Sequence, residues 1–316
     1  MDSMIINNTN SCTAYSSVQW DMYPTVYSLF FSVGFPANCL SLYVAWMLMK
    51  KGNSMAVYLV SLSISDLLYT VTLPIWIVQA MKQHIVWIHG RYVCVLSIYI
   101  LFTNFYTSEA LLCCIAVDRY LAVVHPLKCR WWRKVSTAAA VTVTIWLLVV
   151  CFNTSTISWE DSYHEKKNFS VCFDIFSPLS VTLLRANVMR FFLGFIIPVL
   201  LVFFSTWRIC TAVKSNQATD KQEQKRILKL LTLVLLGLLF CFGPIHVMML
   251  LRILVNDCRN IAWILYPYKI SVALSSLNCL ADPLLYCFIT SAMWKEHLHL
   301  TNQNKFALSI TTHTTL

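Results

Sequence analysis

The stretch "VCVLSIYILFTNFYTSEALLCCIAVDRYLAVV", Val93 to Val124, decides the fold. From Cys94 to Arg119 there are 25 residues, which in a helix rising 1.5 Å per residue cover about 38 Å. A hydrocarbon core is about 30 Å thick. Lipid offers no partner to backbone N–H and C=O groups, so an apolar run of this length predicts a helix that satisfies them internally. One end then lies in water on one side of a membrane and the other end on the opposite side.

Six more runs pass the same test: Thr25 to Met49, Met55 to Met81, Val135 to Ile157, Met189 to Val213, Ile227 to Val255 and Tyr266 to Ile289. Composition agrees with seven spans. Of the 316 residues 58% are hydrophobic and only 12% charged, against about 25% charged in a soluble domain, and the mean hydropathy is +0.64. The expected fold is an all-α membrane protein, a seven-transmembrane helix bundle over residues 24–290. A polar N-terminal segment (1–23) precedes it, and a cytoplasmic amphipathic helix and short tail (291–316) follow. The N-terminal segment is too poor in basic residues for a signal peptide, so the first apolar run reads as a retained helix.

Basic residues orient the bundle. With the N-terminus outside, 15 of the 24 Lys and Arg fall on the cytoplasmic side and 9 outside, as the positive-inside rule requires. Acids run the other way, with Asp2, Asp21, Glu160, Asp161, Glu165, Asp174 and Asp257 outside. The net charge of +10 then belongs to an inner face that meets anionic lipid and a cytoplasmic partner; nucleic acid is not implied. Two sequons, at Asn7 and Asn168, also fall outside, where glycosylation occurs. No internal repeat suggests a transporter, and no cluster of nucleophile, base or metal ligands suggests an enzyme.

Polar residues recur in order along the seven runs: "GFPANCL" (34–40), "SLSISDLL" (61–68), "DRYLAVVHPL" (118–127), Trp146, Pro198, "CFGPIHV" (241–247) and "LADPLLY" (280–286). This set resembles rhodopsin-class G-protein-coupled receptors over nearly the whole chain. The stretches around Asp66, Glu109 and Asp282 and the "CFGPIHVMMLLR" run resemble the proton-sensing branch. The resemblance implies a plasma-membrane receptor with a Cys94–Cys172 disulfide over the bundle mouth, and in some relatives a second clip, here Cys12–Cys258. It implies that Asp118, Arg119 and Tyr120 latch the resting state and that Arg119 then receives a heterotrimeric G protein. Phe242, Pro244 and Tyr286 carry the rearrangement. The frequent acid at the foot of the sixth helix is Gln224 here, and the usual tyrosine low in the fifth is Thr206.

The membrane acids need compensation, because a carboxylate at the bilayer centre costs about 2.5 to 3.5 kcal/mol on insertion scales. Asp66, Asp282, Asn38, Ser108 and Asn278 are expected around one pocket, with Glu109 as a further buried acid where relatives carry one at the position of Val149. Two carboxylates sharing a site must hold a proton or a cation, so the pocket takes protons or an allosteric sodium ion at Asp66; no other cofactor is implied. Histidine titrates near pH 6.5, making His84, His89, His164 and His246 candidate outer sensors. Arg190, Arg252 and Lys269, with Arg185, suggest the alternative: an outer pocket for an anionic lysolipid, psychosine-like lipid or nucleotide, floored by Phe191, Phe192, Phe195 and Phe242. A transporter or channel is a remote third reading, and oligomeric state is left open.

Overall fold

The computed structural model describes residues 4–7, 11–14, 18–82, 86–125, 128–129, 131–157, 162–166, 169–173, 175–176, 181–215, 221–254 and 258–285. Its frame is seven helices: α1 (Met22–Lys50), α2 (Ser54–Met81), α3 (Arg91–Val124), α4 (Val135–Thr156), α5 (Val181–Ala212), α6 (Lys225–Leu254) and α7 (Cys258–Ser276). After a turn at Leu277, residues 278–285 resume the helix of α7. The first six are long and apolar enough to cross a membrane. The seventh is more polar, carrying Lys269 and, past the turn, Asp282. The fifth helix begins eight residues before the apolar run does, because a helix need not stop where the lipid does.

Three helices contain a widened π turn: Phe30–Gly34 in α1, Arg190–Ile196 in α5 and Leu238–Phe242 in α6. Each ends two residues before a proline, Pro36, Pro198 or Pro244. A proline ring has no N–H and clashes with the carbonyl four residues earlier, and one wider turn relieves that clash. The α1–α2 corner is fixed differently. Gly52 adopts φ +85°, a left-handed conformation open to glycine, and the Asn53 side chain accepts the Met55 N–H at 3.0 Å to cap α2.

Leucines such as Leu59, Leu62, Leu111 and Leu231 fill the interior, while Leu40, Leu148, Phe203 and Phe240 face outward, where lipid rather than water receives them. Polar side chains then join helices from within, as the membrane interior favours. Trp146 Nε1 donates to Ser61 Oγ at 2.7 Å, linking α4 to α2, and Asn153 donates to Thr103 Oγ1 at 3.1 Å, linking α4 to α3.

The outer surface adds short strands that the all-α reading of the spans does not foresee. β1 (Met4–Asn7) pairs antiparallel with β2 (Ser11–Ala14); β3 (Tyr163–Lys166) pairs with β4 (Phe169–Cys172); β2 also pairs with β5 (Ile175–Phe176). The Cys94–Cys172 disulfide is present and fastens this loop to the top of α3. Trp87 completes the fastening, donating its N–H to the Ser170 carbonyl and accepting the Ser170 hydroxyl, each at 2.7 Å. The bridge closes a sequence separation of 78 residues. Cys172→Ala is expected to cost about 3 to 5 kcal/mol, read as a lower thermal midpoint of the detergent-purified protein and reduced cell-surface expression.

Candidate functional site

Two polar centres occupy opposite sides of α3. The first lies toward α2 and α7. Asp66 is 0% exposed and Asp282 4%, and their carboxyl groups stand within hydrogen-bonding reach of each other. Asn104 ties the centre together: its amide donates to Asp66 Oδ1 at 2.9 Å and Ser65 Oγ at 3.2 Å, while its own oxygen accepts from Asn278 at 3.4 Å. Sequence reasoning passed over Asn104. The available signal was its place four residues before Ser108, on the same helical face.

Asn38 is buried nearby but does a different job. Its amide donates to the Gly34 and Cys279 carbonyls at 3.0 and 2.8 Å, stitching α1 to α7. Asp66 Oδ2, Asp282 Oδ2, Asn278 Oδ1 and Ser108 Oγ are buried oxygens with no hydrogen-bond partner among the described residues.

Glu109 does not join this cluster, contrary to its expected place in the proton and sodium pocket. At 3.6 residues per turn it sits about 140° around α3 from Asn104, toward α5 and α6. There Glu109 Oε1 lies 2.7 Å from His246 Nε2, both residues 1% exposed. Phe195 stacks on the imidazole, with centroids 5.3 Å apart, and Tyr106 leans against it at 6.1 Å. Gly194 permits this closeness, since a Cβ there would meet Tyr106 at 3.1 Å and His246 at 3.2 Å. Glu109 and Val149 line one cavity.

Arg190 is buried beside this second centre. Its guanidinium lies 4.9 Å from the Phe102 centroid, 5.7 Å from Tyr106 and 5.6 Å from Phe152, and it donates to Thr156 Oγ1 at 2.9 Å. The expected phenylalanine floor is not built. Phe192 is 53% exposed on the outer surface of α5, Phe242 packs edge-on against Phe105 in the core, and neither they nor Phe191 and Phe195 line the cavity beside Arg190. For the three phenylalanines of α5, the π turn starting at Arg190 re-aims the side chains that follow it. Arg252 and Lys269 are buried at the outer ends of α6 and α7. Tyr268 lies within electrostatic reach of Arg190 and Arg252, and Phe173, following Cys172, leans on both Tyr268 and Phe102.

At the cytoplasmic end Arg119 pairs with its neighbour Asp118, which also accepts the Ser54 hydroxyl at 3.1 Å. Tyr120 meets His125 Nε2 at 3.2 Å. Pro244 follows the α6 π turn, and Thr206 bonds only within its own helix, to the Val202 carbonyl at 2.7 Å.

The sequence matches the family described as 7 transmembrane receptor (rhodopsin family) over residues 37–286. Among curated proteins, the human G-protein coupled receptor 65 is 39% identical across 93% of this chain and 94% of its own length. The human G-protein coupled receptor 68 is 35% identical across 92% and 79%, and the human lysophosphatidic acid receptor 6 is 28% identical across 92% and 87%. The chain belongs to the rhodopsin family of seven-transmembrane receptors. It is a multi-pass G-protein-coupled receptor, and the buried carboxyl and histidine centres lie within its helical bundle.

The outer histidines of this receptor differ in standing. His84 falls outside the described residues, as do Asn168, Tyr286 and the tail from 291 onward. For His164 the backbone alone is described, opposite Val171 in the β3–β4 pair. The possible Cys12–Cys258 bridge and the Gln224 side chain lie outside the described side chains; Asn7 is placed at the end of β1. His89 stands edge-on to Trp87 at 5.1 Å. Partial burial and then the Lys82 ammonium push its pKa below the usual 6.5. A base so depressed stays neutral as pH falls through 6.5 and charges only in stronger acid. His89→Gln is therefore expected to leave any pH midpoint of signalling near neutrality within about 0.2 unit; a dose–response of cyclic AMP against external pH measures it.

Proposed function

We propose that this receptor is switched by extracellular protons and signals through a stimulatory heterotrimeric G protein, raising cyclic AMP. The carrying observation is that Asp66 and Asp282 face each other in the core with no Lys or Arg paired to either among the described residues. Two full charges about 4 Å apart repel by about 4 kcal/mol at an effective dielectric of 20. A proton shared between the carboxyls removes that repulsion and supplies the hydrogen bond, drawing α2 and α7 together. Acid thus stabilises one arrangement of the helices over another, which is all that a ligand does in a two-state receptor.

The unpartnered oxygens of Asp66, Asp282, Asn278 and Ser108 are of the hard donor type that a sodium ion takes. They fit such an ion at Asp66 in the resting receptor. When bound, it supplies positive charge that competes with protons for the same pair. The Glu109–His246 pair is a second polar link. It bridges α3 and α6, the helices that must separate for Arg119 to leave Asp118 and reach the G protein. The alternation of acidic outer loops with a basic inner face supports a plasma-membrane setting with the N-terminus outside.

The test is a cyclic AMP assay in cells expressing the full chain, with external pH stepped from 8 to 6 and no ligand added. Asp282→Asn is expected to move the midpoint by about 0.5 to 1 unit toward acid, since protons in that variant no longer relieve a repulsion, one unit being worth 1.36 kcal/mol. A midpoint that stays in place removes the carboxyl pair from the mechanism. A flat wild-type response that appears only when lysolipid is added overturns proton sensing itself.

A further inference from the structure

A cavity of about 360 Å³ opens between α3, α4 and α5, the size at which small-molecule pockets begin. Its wall runs from Arg190 and Phe152 past Tyr106 and Gly194 to Pro198, with Glu109 at one side. Leu148, Met189 and Leu193 form its rim, and all three are exposed on the outer surface of the bundle. In a membrane-spanning protein that surface faces lipid, so the cavity opens sideways into the bilayer.

Arg190 gives this space a chemical preference. The residue is 4% exposed, and its described partners are neutral: the oxygens of Thr156 and Asn187 and three aromatic faces. Its Nε is buried with no hydrogen-bond partner among the described residues. The acid sharing the cavity, Glu109, is engaged by His246 through Oε1, while its Oε2 has no partner among the described residues. A guanidinium held away from water without a counter-anion is costly, and here the unused donor sits at the end of a passage that only lipid reaches. From Arg190 to Pro198 the wall follows the π turn of α5 and is almost wholly apolar.

We propose that this cavity binds a single-chain amphiphile with one anionic head, a fatty-acid carboxylate or its like, taken up laterally from the membrane. The carboxylate meets Arg190 beside Phe152 and Thr156, and the chain lies along Tyr106, Gly194 and Pro198 or leaves through the Leu148–Leu193 rim. This site is separate from the Asp66–Asp282 pair. It meets the Glu109–His246 pair at Glu109 itself and at Tyr106 and Gly194, so an occupant would set how closely α5 approaches α3 and α6.

The experiment uses the full-length receptor in nanodiscs, a sixteen-carbon fatty acid carrying a diazirine, and mass spectrometry of the labelled peptides. Labelling is expected on α4 and α5, with excess palmitate removing it and methyl palmitate or acetate leaving it. Arg190→Gln is expected to weaken binding tenfold or more, as loss of a hydrogen bond to a charged group does, with Arg190→Lys intermediate. Ala110→Phe fills the cavity while keeping Arg190, and is expected to abolish labelling even if the arginine variants fold poorly. Equal competition by methyl palmitate, or wild-type labelling of Arg190→Gln, shows mere lipid contact and overturns the proposal. Competition by acetate identifies a small-anion site and overturns it too. Because binding is read directly, none of these results depends on whether protons activate the receptor.

Discussion

A polar group inside a bilayer has only the chain itself to bond with. Every notable feature of this bundle follows from that shortage. Backbone groups are satisfied by helices, and ahead of Pro36, Pro198 and Pro244 the helix takes a wider turn instead of breaking. Indole, amide and hydroxyl side chains are satisfied across helices, as Trp146 is by Ser61 and Asn153 by Thr103. What cannot be satisfied by neutral neighbours is gathered into pairs: Asp66 with Asp282, Glu109 with His246, Asp118 with Arg119. A pair that lacks a fixed counter-charge has two ways to reach neutrality, and a protein with two ways to be neutral has two states.

α3 is the spine that keeps those pairs apart and yet connected. Asn104 faces α2 and α7, Glu109 faces α5 and α6, and Asp118–Arg119 lies three turns further in, so one rigid rod touches all three. A shift of α3 moves Asn104 against Asp66 and Glu109 against His246 together. No separate path of communication needs to be imagined between the outer surface and the G-protein face, since packed elements with two discrete arrangements carry such coupling.

Much of this was legible in the residues. Length and apolarity gave the spans, and Asp66 and Asp282 announced themselves as acids with nothing basic at their depth. The Cys94–Cys172 bridge followed from the resemblance and is present. Legibility ended where one residue more or less in a turn matters. Glu109 is a near neighbour of Ser108 in sequence but points about 100° away, and His246 and Arg190 lie just after or within π turns, where counting by 3.6 no longer gives direction. The partnership of Glu109 with His246 therefore needed coordinates. The outer strands were invisible for another reason: β2 and β5 are short and pair across about half of the chain, with no local pattern to mark them.

Gly194 carries a last consequence. Only a hydrogen atom separates its backbone from the rings of Tyr106 and His246, so a vacant methyl position sets the gauge between α5 and its neighbours. A chain that filled it would be wedged a few tenths of an ångström open at that level for good. Such a chain would lose the difference between its closed and open forms without losing a single charged or hydrogen-bonding group, and a survey of its chemistry would find nothing missing.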